Sequence, residues 1–220
     1  DVTTGEVRTA LRAEDVVAEH ADWVRHHLGD GPVSIFFPVL SPDLGRVFFK
    51  LATPLDGVFR SPRASRREGL FVYDLRTGRC LLRRDTWGHP AWFPDSRRII
   101  NIPPVVIDLD SATEAVPSGL PSLPGRHPSV ARDGRTLVAD ALVDAEDRAT
   151  QRWSIVVADL AGRGWRLLWR APGCGPGTNS WRPPHPHPVF SADGRRIYFN
   201  LNTGANTLLH VAAVRTGGPG

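Results

Sequence analysis

The chain has 220 residues, 41% of them hydrophobic and seven of them Trp, so a sizeable core is available and the 21 Gly and 20 Pro residues punctuate packed segments rather than mark disorder. The net charge of +4 is carried almost wholly by arginine, which favours planar carboxylate or phosphate partners and is equally what a GC-rich genome encodes. No apolar run reaches the ~20 residues that span a bilayer, and Cys80 and Cys174 make neither a disulfide framework nor a thiolate metal cluster.

Self-similarity organises the chain, and one all-β domain over 1–220 is the expectation. Residues 1–11 read as the end of a preceding blade, with Thr4-Gly5 as its turn. The stretch AEDVVAEHADWVRHHL spaces Val16, Val17, Trp23, Val24 and Leu28 as a short amphipathic helix, an insertion near the N-terminus. Beyond it come four hairpins, FFPVLSPDLGRVFFK from Phe36, HPAWFPDSRRIIN from His89, HPSVARDGRTLVAD from His127 and HPVFSADGRRIYFN from His187. Each turns at an aspartate: Asp43, Asp95, Asp133 and Asp193.

Third strands end at Leu75, Leu109 and Leu160, and two of them pass a Gly turn into a fourth run, CLLRR or WRLLWR. Four antiparallel strands per repeat is the blade of a β-propeller, here with about four blades visible. The absence of Met and the start at Asp1 suggest a piece of a longer protein whose further blades lie outside this chain, and the compartment stays open.

His89, His127 and His187 each stand six residues before a turn aspartate and directly before a proline, so they share one address. In a propeller that address lies at the channel mouth, where histidines of successive blades converge. His185 and His187 are two apart on an extended, proline-stiffened run, which puts both imidazoles on one face. Such a cluster suits a divalent metal. Arg60, Arg63, Arg66 and Arg67, between the second and third strands of the first blade, are candidates to clamp an acidic ligand at the same rim. The glycines around Cys174 lack the ending of a phosphate loop, no G-x-S-x-G elbow is present, and aromatics do not alternate with basic residues as on a nucleic-acid platform.

RPPHPHPVFSADGRRIYFN, with HPAWFPDSRRII and HPSVARDG, resembles the oligogalacturonate lyases, seven-bladed propellers related to the TolB-like group, over roughly Phe36 to Val214. The resemblance implies a carbon–oxygen lyase that cleaves uronic-acid sugars by metal-assisted β-elimination, with an acidic oligosaccharide as partner and neither nucleic acid nor membrane. It assigns manganese to His127, His185 and His187, the catalytic base to His89 and the catalytic arginine to Arg67, with Arg66 and Arg63 as neighbouring substrate-binding residues. The family's glutamine ligand falls at Arg182, which cannot ligate a metal, so either another group completes the shell or the metal is lost; Asn179 could substitute, or Arg182 could itself bind the substrate carboxylate. NIPPVVIDL replaces the family's C-H-E-G-P motif, which opens the choice of uronic acid. The alternatives are a non-catalytic TolB-like propeller that binds protein or carbohydrate, and the propeller of a serine peptidase.

Overall fold

The computed structural model describes residues 3–54, 65–117, 125–144, 146–147, 152–162, 164–170, 186–202 and 207–214. The chain divides into two compact units, residues 1–87 and 88–220. The two helices with described bounds lie in the first unit, and every sheet is antiparallel in simple chain order.

The first unit contains α1 (Ala13–Glu19), α2 (Ala21–Leu28), β1 (Ser34–Leu40), β2 (Arg46–Ala52), β3 (Arg67–Asp74) and β4 (Cys80–Arg84). The β1–β2 turn closes on Asp43, whose carboxylate accepts the Ser41 hydroxyl at 2.6 Å and the Gly45 N–H at 3.0 Å. Asp74 does the same between β3 and β4, accepting the N–H groups of Arg76 and Thr77 at 2.9 Å. These short polar side chains replace backbone bonds that a tight reversal leaves unmade.

One face of this sheet is closed by the helices. Val16, Trp23, Val24 and Leu28 pack on Val47, Phe49, Leu51, Phe71 and Tyr73. Sequence periodicity suggests one helix here; the structure breaks it at His20, whose φ of −119° and ψ of 32° leave the helical region. At this joint the imidazole lies over Phe71 and reaches the Tyr73 hydroxyl at 3.0 Å, so a side-chain bond to the sheet accompanies the lost helical continuity. Trp23 stands edge-on to Phe71 and donates its indole N–H to Asp85 at 2.7 Å. Its ring comes so close to β3 that a Cβ on Gly69 would lie 2.8 Å away, and the φ of +75° there independently favours glycine.

The second unit repeats the meander three times. Its sheets are β5 (Ala91–Trp92) to β8 (Thr113–Ala115) through β6 (Arg98–Asn101) and β7 (Val105–Asp108), then β9 (Gly125–Val130) to β12 (Gly164–Arg170) through β10 (Thr136–Ala141) and β11 (Ser154–Asp159), then β13 (Val189–Phe190), β14 (Arg196–Asn202) and β15 (Thr207–Ala213). Asp95, Asp133 and Asp193 each accept the N–H two residues on, the device seen at Asp43. Phe93, Ile100, Leu137 and Ala158 pack the first of these sheets against the second. Val138, Ile155, Ile197 and Phe199 pack the second against the third. The first strands lie side by side, β5 against β9 and β9 against β13, which is what brings their N-terminal ends together.

The expected blade pattern is present, with two strands added. β8 is a fourth strand of only three residues, all exposed, too short and polar to stand out in the sequence. β15 pairs with β14 from Asn202↔Thr207 to Arg196↔Ala213, although its run ends in Ala-Ala where the other third strands carry an aspartate.

Trp23→Ala should cost about 3–5 kcal/mol, a large-to-small core change, read as a lower urea midpoint with unaltered slope. Acid should loosen the second unit's turns. The Ser111 N–H, outweighing burial and joined by Arg97, holds the Asp108 carboxyl down to about 2. Its folded value is depressed, so its contribution is complete above the ordinary carboxylate range and is lost as pH falls through that range toward 2. Circular dichroism monitored downward from pH 5 should show the transition, displaced and shallower in Asp108→Asn.

Candidate functional site

The site begins with a backbone address. Phe37, His89, His127 and His187 each stand six residues before their turn aspartate, and each precedes a proline. Three of the four have positive φ: 58° at Phe37, 57° at His89 and 47° at His187. A left-handed conformation is uncommon outside glycine, and such residues tend to collect at functional sites.

The surrounding bonds explain how it is held. The carbonyl just before the address is tied to the second strand's end, as Ile102 N–H to Gly88 and Asn200 N–H to Pro186, both at 2.7 Å. The chain must then reverse within one residue to enter the first strand through a proline that donates no N–H. At Gly88, with φ of +63°, a Cβ would sit 2.4 Å from the Asn101 side chain, so only glycine fits before His89.

In the second unit this address gathers three imidazoles. The rings of His127 and His187 are stacked with centroids 3.5 Å apart and planes 27° from parallel. His89 stands edge-on to His127, at 4.9 Å and 79°. His187 is exposed, while His89 and His127 are half-buried.

Beneath them lies Asp140 of β10, with no solvent exposure. Its carboxylate accepts the backbone N–H of His127 at 2.9 Å, the Nδ1–H of the same residue at 2.8 Å and the backbone N–H of His187 at 3.2 Å. A buried carboxylate is expensive unless its oxygens are satisfied, and these three donors, from two adjacent sheets, do that. The Nδ1 bond to Asp140 fixes the orientation of the His127 ring, the arrangement by which a carboxylate orients a metal-ligating or proton-accepting imidazole. A second tie between the same sheets is the Phe190 N–H on the Ser129 hydroxyl at 3.2 Å.

The other sequence candidates distribute differently. Arg66 and Arg67 belong to the first unit. Arg66 donates to the carbonyls of His27, at 3.0 Å, and Leu28, so its guanidinium caps the C-terminus of α2. Arg67 opens β3 and lies 4.6 Å over the Phe36 ring. Arg60, Arg63, Asn179, Arg182 and His185 lie outside the described residues.

In the first unit the shared address is Phe37, 57% exposed and edge-on to Trp87 at 5.8 Å. It is legible as Phe-Pro six residues before Asp43, but a search for histidine passes over it. Asp140 is the other residue missed, and its signal is also present: one carboxylate inside TLVADAL, an otherwise apolar second strand.

No family model matches the chain, and no curated protein matches it. Solved structures do. TolB from Acinetobacter baumannii aligns at 16% identity with a TM-score of 0.53, over 85% of this chain and 42% of that one. One of two prolyl endopeptidases studied for inter-domain dynamics in catalysis and specificity aligns at 15% identity with a TM-score of 0.52, over 91% of this chain and 33% of that one. The fold is therefore a β-propeller of the kind found in TolB and in peptidase propellers. This chain spans well under half the length of either neighbour.

Asp140→Leu should destabilise the protein by on the order of 3 kcal/mol by leaving two backbone N–H groups and the His127 ring without their acceptor. Asp140→Asn, which keeps one acceptor oxygen, should cost less. Urea denaturation of the two variants gives the order directly, and a Leu variant as stable as the parent would contradict the role given to Asp140.

Proposed function

We propose that the chain belongs to a lyase that cleaves uronic-acid-containing oligosaccharides by β-elimination, with the histidine cluster as its reacting centre. The observation that carries this reading is the juxtaposition of His89, standing apart and edge-on, with the stacked pair His127 and His187 over a buried carboxylate.

The donor set suits a divalent ion such as manganese. Asp140 orients the His127 ring through Nδ1, His187 stacks alongside, and the resemblance adds His185 as a third ligand. Bound there, the ion would neutralise the uronate carboxylate and acidify the neighbouring carbon. His89 in its neutral form would accept the proton from that carbon; the C–H electron pair becomes the new double bond, and the glycosidic oxygen leaves with its bonding pair and takes up a proton. The resemblance assigns Arg67 to stabilising the developing charge, and Arg63 and Arg182 are assigned to binding the substrate carboxylate. Arg66, whose guanidinium holds α2 here, is given the same assignment by the resemblance. The preferred partner is an acidic sugar.

A second reading has its own support in the likeness to TolB: a propeller that binds protein or carbohydrate without reacting. One assay separates the two. Saturated uronic oligosaccharides incubated with the protein and manganese should give ultraviolet absorbance from new conjugated double bonds. His89→Ala should lower that rate by about 10²–10⁴-fold, the usual share of a general base, while sugar binding persists. No product from any uronate, with or without manganese, alongside sugar binding that His89→Ala leaves unchanged, would favour the binding protein.

A further inference from the structure

The first unit holds a separate cluster of metal-ligating side chains that the histidine site does not use. Glu19 ends α1, His20 is the joint between the helices, and Cys80 opens β4. One ligand atom from each lies within 4.8 Å of the others. His20 Nε2 and Glu19 Oε2 are 4.0 Å apart, and the buried Tyr73 hydroxyl sits between them, 2.6 Å from the carboxylate and 3.0 Å from the imidazole.

We propose that Glu19, His20 and Cys80 form a binding site for one divalent transition-metal ion of zinc type, with the Tyr73 hydroxyl at its edge. Four observations support it.

The donors are one carboxylate oxygen, one imidazole nitrogen and one thiol sulfur, a mixture that zinc accepts and that calcium and magnesium, which want oxygen, do not. The spacing is nearly right, because metal bonds of about 2.0–2.3 Å place neighbouring ligand atoms roughly 3–4 Å apart, so each side chain need close by less than about 1 Å. The scaffold is rigid on the sheet side, where Tyr73 is 1% exposed and the helices are bolted down through Val16, Trp23 and Val24. Finally, the cluster opens to solvent through Glu19, whose side chain is 45% exposed against 11% for His20, which gives an ion a way in.

The hydrogen bonds of Tyr73 explain Glu19 and His20 without any ion: the hydroxyl donates to the carboxylate and accepts from the imidazole. They do not require a thiol beside that carboxylate. Burial and the Glu19 charge push the Cys80 thiol up to about 11, so without an ion it stays protonated and donates to the Leu82 carbonyl at 3.4 Å. A cation reverses that balance; binding would release the thiol proton to solvent and leave thiolate, imidazole and carboxylate as three protein ligands, with water or Tyr73 completing the shell. The two cysteines of the sequence exclude a site made of thiolates, and this one differs in needing a single cysteine brought to a histidine and a glutamate 60 residues away.

Cobalt(II) titrated into EDTA-treated full-length chain tests the proposal. Expected is a thiolate-to-cobalt charge-transfer band in the near ultraviolet that is bleached by zinc and that saturates at one equivalent in a His187→Ala background, where the histidine site is removed. Cys80→Ser should abolish the band, while His20→Gln and the surface change Glu19→Gln should each weaken binding by more than tenfold, with folding checked by circular dichroism. His187→Ala and Cys174→Ser should keep the band. Absence of the band, its survival in Cys80→Ser, its loss with Cys174 instead, or unweakened binding in both His20→Gln and Glu19→Gln would overturn the assignment.

Discussion

The second unit is organised around a charge placed where no water reaches it. Asp140 is the penultimate residue of β10, between Ala139 and Ala141, and its side chain is wholly buried. An isolated carboxylate in such surroundings would be prohibitive, so its oxygens must be met by fixed donors. Those donors include the His127 ring and backbone on the same sheet and the His187 backbone on the next. Satisfying one buried group therefore orients the ring of His127, positions the strand entry at His187 and brings their rings into contact. The reactive surface and the structural requirement are the same few bonds.

Backbone strain at the shared address points the same way. Left-handed Phe37, His89 and His187 each stand before a proline, a residue that disfavours helical conformations ahead of it. Each such residue costs of order 1–3 kcal/mol, and it persists because flanking carbonyls are pinned to the neighbouring strand. Three blades bear this cost to present a histidine or an aromatic at the strand entry. His127 departs from the pattern: it lies within β9 with ordinary φ, and it is the one whose ring is gripped by Asp140.

Much of the fold is readable because its signals are local. The turn aspartates act within three residues of themselves, so Asp43, Asp95, Asp133 and Asp193 mark every first hairpin correctly. The apolar stripe of the helical insertion is right in nearly every residue, since Val16, Trp23, Val24 and Leu28 are buried, yet the break at His20 depends on Tyr73 and cannot be seen from residues 13–28 alone. The short strand β8 is held by pairing with β7, again a tertiary fact. At the site, spacing identifies the three histidines that meet. It does not identify Asp140, because a carboxylate in an apolar strand has no meaning until its partner, 13 residues earlier, is known to lie opposite.

The site rests on geometry: imidazoles from three successive sheets share one place because Asp140 holds the middle one. Nuclear Overhauser contacts between ring protons measure this most directly in the full chain with labelled histidines. Strong cross-peaks between His127 and His187, weaker ones between His127 and His89, and their disappearance in Asp140→Leu are expected. Three rings without mutual contacts in the parent protein would contradict the account.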